Sequence, residues 1–354
     1  MNHLYYPLRN FVSCLLIFAI GFYPRTANAQ QLKISDFALF GGNASCPIGP
    51  GQRTPSAPGC GVIIGNGSKI LGGSIGSYSF IQGYNNISVA GNINCGGTIN
   101  FSNYDTVAGK ITAANSLSLS GKILQAGTNT LFRSNVDVNG NIQIGSGVVS
   151  GKITHPSGST YSGPIPTGGI VSPLAALPIL PVMPPITTFP AVGTTNISSS
   201  RTITPGSYGN INLSGGQTLT FSGPGIYVFN SIKNSGLLIN NFNFDFTNSA
   251  AGTFKIYVYG DVDLNILNEN LINGGTASRI FLETHGTGSS CSFGNFAFTI
   301  TNYFLLGRTS QWFGTVWAPY SGINLGSSTS SSSITGAMWS GTQVNVQCLS
   351  LIHI

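Results

Sequence analysis

A short unit recurs along the first half of the chain: an apolar residue, a variable residue, glycine, a variable residue and isoleucine. Its copies are centred on six glycines: Gly73, Gly91, Gly109, Gly121, Gly140 and Gly151. The successive spacings are 18, 18, 12, 19 and 11 residues. Three faces of about six residues make a coil of about 18, so this pattern predicts a β-solenoid. On that geometry, a step of 12 moves the unit two faces onward.

The same turn residues are compatible with a second all-β fold. Asn66-Gly67 and Asn139-Gly140 are dipeptides that favour two-residue hairpins, and hairpins would build a β-sandwich. The predicted fold class is therefore all-β, with a β-solenoid favoured and a β-sandwich as the alternative. The pattern does not determine the handedness of a solenoid.

Alternation of apolar and polar residues resumes in the second half of the chain. The alternating runs are residues 208–213, 218–221, 226–229 and, most clearly, 254–264. Period-two alternation is typical of strands that bury one face. We therefore predict solenoid coils in residues 193–348, in addition to those predicted for residues 30–163.

Eight prolines fall between residues 164 and 190, interleaved with Ile, Leu, Val, Met and Phe. A flexible linker would be polar and rich in Gly and Ser, whereas this segment is apolar and stiff. We predict that residues 164–192 form an extended strap against the solenoid. An exposed polyproline linker between two domains is the alternative.

The N-terminal segment has the layout of an export signal. Arg9 provides a positive charge, residues 11–22 form an uncharged apolar run, and Ala27-Asn28-Ala29 provides small residues for cleavage. The run is short for a bilayer span. Residues 1–29 are therefore predicted to be a signal peptide, which implies a secreted or cell-surface protein; an uncleaved anchor is the alternative.

Composition supports short strands and excludes one class of partner. Charged residues make up 6% of the chain, glycine occurs 48 times, and the only glutamates are Glu269 and Glu283. The formal charge of +6 becomes 12 − 8 = +4 when Arg9 and Arg25 leave with the signal. No basic cluster marks a nucleic-acid-binding face, so no nucleic-acid partner is predicted.

Cysteines suggest a loop closed by a disulfide. Cys46 and Cys60 bracket a segment rich in Gly and Pro. In an exported protein a disulfide there would stabilise the fold by about 3 kcal/mol; two unpaired thiols are the alternative. No Cys-x-x-Cys motif or Cys/His pair occurs, so no zinc or other metal site is predicted, and Ca²⁺ is the one cofactor left open.

Residues 349–354 resemble the translation of a transposase adapter used in sequencing libraries. We expect this hexapeptide to be a scar outside the fold, with an anchoring C-terminal segment missing beyond it. Under that expectation His353 has no functional role. A genuine apolar tail is the alternative.

Carboxylates are scarce, and five of the eight fall within 39 residues. The candidate catalytic residues are Asp261, Asp263, Arg279, Glu283 and His285. Asp263 and Glu283 are 20 residues apart, so coils of that length would stack them on one face, as a polysaccharide lyase or hydrolase requires. The interpretation we favour is that these residues cap turns or face water.

Six aromatic residues of the second half are the candidate ligand-binding set: Tyr257, Tyr259, Trp312, Trp317, Tyr320 and Trp339. On an outer face they would stack against sugar rings, and packing in the core is the favoured alternative.

Some solenoids bind ice through flat Thr-rich faces. The sequence has no regular Thr-x-Thr ladder at coil spacing, so ice binding is only a second alternative function.

Three segments near the C-terminal end, residues 313–319, 333–337 and 341–344, resemble the closing coils of a known family. This family is the secreted bacterial surface proteins with a choice-of-anchor A or adhesive domain, and residues 36–41 are similar too. The resemblance implies a β-helical module that binds an extracellular glycan or cell-surface ligand and is held by a variable anchor. It implies no catalytic residues. We therefore predict a non-catalytic structural or adhesive module, with a polysaccharide lyase or hydrolase as the alternative.

Overall fold

The computed structural model describes residues 29–42, 61–113, 121–174, 176–247, 251–286, 295–302, 309–327, 332–347 and 350–353. In these ranges the chain is built from strands and two 3₁₀ turns, Ile34–Asp36 and Ala277–Arg279, and every strand pair is parallel. The β-solenoid is therefore confirmed. The β-sandwich alternative is wrong, because the strands that flank Asn66-Gly67 and Asn139-Gly140 pair with neighbouring coils and not with each other. None of the helices described here is long and apolar enough to cross a membrane.

The first half of the chain contributes strands β1 to β18. In chain order they are β1 Phe37–Gly41, β2 Gly61–Ile64, β3 Lys69–Ile70, β4 Ser74–Ser77, β5 Phe80–Gly83, β6 Ser88–Val89, β7 Ile93–Cys95, β8 Thr98–Phe101, β9 Thr106–Val107, β10 Ile111–Ala113, β11 Lys122–Ala126, β12 Thr130–Phe132, β13 Val136–Val138, β14 Asn141–Ile144, β15 Gly147–Val149, β16 Ile153–Thr154, β17 Tyr161–Ser162 and β18 Ile170–Val171.

The second half contributes strands β19 to β37. In chain order they are β19 Arg201–Ile203, β20 Gly206–Ser207, β21 Asn210–Leu213, β22 Thr218–Ser222, β23 Gly225–Phe229, β24 Ser231–Asn234, β25 Asn240–Asp245, β26 Phe254–Val258, β27 Val262–Asn265, β28 Leu267–Ile272, β29 Ile280–Thr284, β30 Phe296–Thr301, β31 Ser310–Phe313, β32 Thr315–Ala318, β33 Gly322–Leu325, β34 Ser332–Thr335, β35 Met338–Ser340, β36 Val344–Val346 and β37 Leu351–His353.

Stacking of these strands makes three long faces. The first sheet has the order β18-β16-β13-β10-β7-β4-β1-β35-β32-β29-β26-β23-β20, and the second has the order β17-β14-β11-β8-β5-β2-β36-β33-β30-β27-β24-β21. The third face consists of an eight-stranded sheet, β15-β12-β9-β6-β3-β37-β34-β31, and a four-stranded sheet, β19-β22-β25-β28. The two sheets of the third face meet where β28 lies beside β31.

The order of the coils differs from their order in the chain. The first coil lies in the middle of the solenoid, because β1 pairs with β4 on one side and with β35 on the other. The first half winds outward to β18, and the second half begins at the opposite end and winds back to the middle. With strands about 4.8 Å apart, the first sheet is about 58 Å long. The connection between the halves has to cover most of that length.

The interior is filled by stacked aliphatic side chains. In the first half, the isoleucines of the Gly-x-Ile unit point inward, and Ile75, Ile93 and Ile111 lie in direct register. Their burial removes apolar surface from water at every coil, which stabilises the stack cooperatively. The apolar positions of the sequence repeat are therefore the positions that form the core.

One geometric prediction for the repeat is wrong. The step of 12 residues moves the unit one face onward and not two, since Ile111 lies in the first sheet and Ile123 in β11 of the second. The connection from Ala113 to Lys122 is longer than the corresponding connection from Cys95 to Thr98, and it takes up the additional residues. The step of 11 carries the unit two faces round.

Asparagine side chains hold one corner of neighbouring coils together. The Oδ1 atom of Asn66 accepts the backbone N–H of Asn85 at 2.9 Å, and Oδ1 of Asn85 accepts that of Asn103 at 3.1 Å. Oδ1 of Asn103 accepts the N–H of Thr128 at 2.7 Å. The side chains thus satisfy backbone groups that the turns leave unpaired, which accounts for the abundance of Asn in this chain.

Buried carboxyl groups make the stability of the fold depend on pH. Asp105 is fully buried, and its Oδ1 accepts the N–H of Ile87 at 2.9 Å. Burial raises the pKa of Asp105 from 3.8 to about 7, against the opposing effect of the backbone N–H groups of Ile87 and Ser102. Burial also raises the pKa of Glu269. The hydrogen bond that Glu269 accepts from the N–H of Phe313 lowers this pKa, but by less.

We expect the Asp105→Asn variant to lose part of this pH dependence. Between pH 4 and 7 folded Asp105 holds a proton that the unfolded chain releases, so stability is full below pH 4 and falls as pH rises to 7. The loss is at most about 4 kcal/mol. Denaturant unfolding at pH 4.5 and 8 measures it, with Asp263→Asn at an exposed carboxylate as the control. An unchanged difference between the two pH values in Asp105→Asn would contradict the assignment.

The end of the chain takes part in the solenoid as far as it is described. β37 lies between β3 and β34, and Ile352 is fully buried. Three residues of the hexapeptide, Leu351–His353, therefore form a strand of the third face. Its origin as an adapter scar stays a prediction. The predicted signal peptide, apart from Ala29, and the predicted Cys46–Cys60 disulfide lie outside the described residues.

Candidate functional site

One column of residues runs along the outer side of the first sheet. From one end to the other it consists of Val171, Thr154, Asp137, Thr112, Asn94, Gly76, Phe40, Trp339, Trp317, Glu283, Tyr257, Val228 and Ser207. The alternate residues of these strands lie in the core, so the column points outward. Its polar half runs from Thr154 to Asn94, and from Phe40 to Val228 the column is aromatic or apolar apart from Glu283.

In the connection between β18 and β19, residues 176–192 lie over this column, and we call this segment the strap. Its Ile179 exchanges backbone hydrogen bonds of 2.9 Å with Gln30 and Leu32. The hydroxyl of Tyr78 donates to the carbonyl of Pro181. Many residues of the column are buried although they point away from the core. The strap contacts Glu283, Tyr257 and Val228 directly, and together with the N-terminal segment it lies over Asn94 and Thr112.

The strap is held most firmly over the second half of the column. Glu283 is fully buried; its Oε1 accepts the N–H of Thr187 at 2.8 Å and lies 2.9 Å from Nε2 of His285. The ring of Phe189 stacks on His285 and Tyr257, with centroids 3.9 and 4.8 Å away. Burial, and to a smaller extent the charge of Glu283, raises the pKa of Tyr257. Two of the predicted catalytic residues thus hold the strap to the sheet.

The other candidate catalytic residues do not join them. Asp263 lies on the second sheet opposite Thr299, with Lys233 4.0 Å away, so the 20-residue spacing does not stack it on Glu283. Asp261 lies at the corner between the sheets, next to Gly286. Arg279 donates to the carbonyl of Gly252 at 2.6 Å. The guanidinium of Arg279 also covers the ring of Phe246 at 4.5 Å.

The candidate aromatic residues are divided between core and surface. Trp312 lies inside the core, and Trp317 and Tyr257 are 3% and 7% exposed. Nε1 of Trp339 donates to the carbonyl of Phe37 at 2.9 Å. Tyr259 and Tyr320 are each 40% exposed. Tyr259 donates to the carbonyls of the strap residues Phe189 and Pro190, and Tyr320 contacts His285 edge-on. Most of the set therefore packs beneath or beside the strap and forms no open platform.

A cavity of about 480 Å³ separates the strap from the polar half of the column. Ser74, Asn94 and Thr112 line it from the sheet, Leu32 lines it from the N-terminal segment, and Pro178 lines it from the strap. Thr112 donates to Oδ1 of Asn94 at 2.8 Å. No sequence pattern indicated this site, because its walls come from three distant segments.

The outer side of the second sheet carries a row of amide side chains, which we call the amide row. It consists of two runs: Gln143, Gln125, Asn100 and Gln82 in the first half, and Asn345 and Asn324 in the second. Ile63 occupies the position between Gln82 and Asn345 and separates the two runs. Nδ2 of Asn100 donates to Gln82 at 3.0 Å, and Nδ2 of Asn345 donates to Asn324 at 3.0 Å. Within each run, successive coils place an amide side chain at the same position.

A smaller array lies on the four-stranded sheet. Thr218-x-Thr220, Asn241-x-Asn243 and Asn268-x-Asn270 lie in register on three successive strands. Nδ2 of Asn270 donates to Oδ1 of Asn243 at 2.8 Å. A ladder of this kind was not expected, since the coils that carry it differ in length: Thr218 and Asn241 are 23 residues apart, and Asn241 and Asn268 are 27 apart.

The described residues contain no group of three or more His, Cys, Asp or Glu side chains that could hold a metal ion. Comparisons with protein-family models, with curated proteins and with solved structures gave no match. The similarity of residues 313–319 to a choice-of-anchor A or adhesive domain therefore stays a prediction from sequence.

Proposed function

We propose that this protein is an exported structural and adhesive module of a bacterial surface, which binds an extracellular glycan or another surface ligand without altering it chemically. The observation that carries the proposal is the amide row. Each amide offers both a donor and an acceptor, and within each run the parallel sheet holds successive amides about 4.8 Å apart. A rigid, repeating polar surface lowers the entropic cost of binding an extended ligand.

The arrangement of carboxylates favours binding over catalysis. A glycosidase needs two carboxyl groups that converge beside a groove. Here Asp263 and Glu283 lie on different sheets, and the strap covers Glu283. The polysaccharide lyase or hydrolase alternative would require the strap to move away and a second acid group to approach.

The Thr/Asn array on the four-stranded sheet is the feature that best fits the ice-binding alternative. The array occupies three strands and spans only about 10 Å, since two steps of about 4.8 Å separate them. An ice-binding face gains affinity from many repeats of one spacing. The small size of this array therefore favours the adhesive proposal.

The first test is product release from polysaccharides. We expect the purified protein, with and without Ca²⁺, to release no new oligosaccharide from a panel of polysaccharides but to be retained on at least one glycan or cell surface. The amide-row variant Gln125→Ala/Gln143→Ala should be retained less, with an unchanged melting temperature, because both side chains lie at the surface or near it.

The control is a pair of variants at the candidate catalytic carboxylates, Glu283→Gln and Asp263→Asn. New oligosaccharides that disappear in Glu283→Gln, but persist in Asp263→Asn, would make the protein an enzyme and reject the proposal. Absence of both product and retention would reject the adhesive function as well.

A further inference from the structure

The cavity beneath the strap contains none of the residues predicted from sequence to bind a ligand. We propose that it binds a short, uncharged oligosaccharide. This inference rests on the proposed function, since it identifies a ligand class and a site for the adhesive module. The site is separate from the amide row, which lies on a different sheet.

The size of the cavity fits a small ligand. Its volume of about 480 Å³ lies within the range of about 300–1,000 Å³ typical of small-molecule sites. The column residues that line the cavity, Asn94 and Thr112, are short, whereas bulky Trp317 and Tyr257 fill the same position in the second half. The strap therefore packs closely on one half of the sheet and leaves space over the other.

The floor of the cavity is polar and almost fully covered. Asn94 and Thr112 are only 5% and 4% exposed, and Ser74 is 9% exposed. Buried hydroxyl and amide groups cost free energy unless they form hydrogen bonds. Both kinds of group donate as well as accept, which matches the hydroxyl groups of a sugar. Leu32 and Pro178 add apolar surface for the C–H face of a sugar ring.

Asp137 lies next to Thr112 in the column, and its two carboxylate oxygens have different surroundings. Its Oδ2 forms an ion pair of 2.6 Å with Nζ of Lys110, a residue that lines the cavity. Its Oδ1 is buried and has no hydrogen-bond partner among the residues that the structure describes. Asp137 does not itself line the cavity, so it influences the site through its ion pair with Lys110.

The charges around the cavity favour a neutral ligand. Lys110 is already neutralised by Asp137, and Asp36, also in the lining, accepts the backbone N–H of Lys33 at 3.3 Å. No excess positive charge is therefore available to attract a phosphate or a uronic acid. The combination of amide, hydroxyl and apolar walls selects uncharged saccharides.

The test is calorimetric titration of the purified protein with di- to tetrasaccharides. The neutral probes are cello-, chito-, manno- and malto-oligosaccharides, and the charged probes are uronic acid oligomers. We expect at least one neutral series to bind. Ala176→Trp should lower its affinity tenfold or more, because the exposed Ala176 lines the cavity from the strap and an indole there would fill the space. Thr112→Val should do the same by removing a hydroxyl.

Val182→Trp is the matched control, because Val182 is 80% exposed on the same strap and does not line the cavity. It should bind like the wild type. If Ala176→Trp proves to be misfolded by its melting temperature, Thr112→Val decides the question.

The inference is overturned if no neutral oligosaccharide binds up to about 10 mM, a concentration that detects even very weak complexes. It is also overturned if only the charged oligomers bind, or if binding is equal in Thr112→Val and wild type. Wild-type protein that is retained on a glycan or cell surface in any of these cases leaves the adhesive function standing. Wild-type protein that is retained on no surface rejects that function separately.

Discussion

Replacing Gly91 by alanine is expected to destabilise the protein by about 3 kcal/mol or more, the upper range for a methyl group forced into a packed interior. A Cβ on Gly91 would overlap the carbonyl group of Gly73 in the preceding coil. Gly109 meets the carbonyl of Gly91 in the same way. These glycines let backbones of successive coils approach to the spacing of a parallel sheet, so the neighbouring coil cannot yield without breaking its own pairing. Urea unfolding monitored by circular dichroism measures the loss.

Gly158→Ala is the control for this experiment. Nothing lies within 4 Å of a Cβ built on Gly158, so its effect should remain within about 0.5 kcal/mol. Equal stability of Gly91→Ala and Gly158→Ala would mean that the coils adjust freely, and the stacked-glycine explanation of the repeat would be wrong.

Replacing Phe189 by alanine is expected to release the strap from the second half of the first sheet. The side chain is 8% exposed and stacks on both His285 and Tyr257. Truncating a buried phenylalanine costs about 3–5 kcal/mol. Because the strap contacts the sheet through few residues, we expect most of that loss to appear as local opening, which also exposes Glu283.

Two measurements check the release of the strap: limited proteolysis within residues 176–192, and hydrogen exchange at the amide of Thr187, which donates to Glu283. Both should become faster in Phe189→Ala. Ile186→Ala is the matched control, since Ile186 belongs to the same segment but is 48% exposed. Proteolysis and exchange that do not distinguish the two variants would show that the strap is held elsewhere.

The candidate site was foreseen only in fragments. Glu283 and His285 were selected because they are rare ionisable residues, and they do contact each other at 2.9 Å. The 20-residue spacing predicts that Asp263 stacks on Glu283. This prediction is wrong, because coils of the second half differ in length and Asp263 lies on another sheet. The cavity was not foreseen, since Leu32, Asn94 and Pro178 are close only after the strap has folded back.

The sequence by itself determined the all-β class and favoured the solenoid over the sandwich. The Gly-x-Ile unit and the period-two runs are local, and each local segment buries one face, so stacking of parallel strands follows from the pattern alone. Only the tertiary structure decided the order of the coils. The pairing of Leu39 with Met338 joins two segments far apart in the chain, and no local periodicity encodes it.

The same distinction applies to the surfaces. Which residues point outward was predictable from alternation, but their exposure depends on the course of the strap. The strap buries Glu283 and Tyr257, and it leaves a cavity over Asn94 and Thr112. Local patterns set which side of a strand a residue occupies, whereas long-range packing sets what lies opposite it. The fold could be predicted from the sequence because local patterns determine it. The site could not, because it depends on long-range packing.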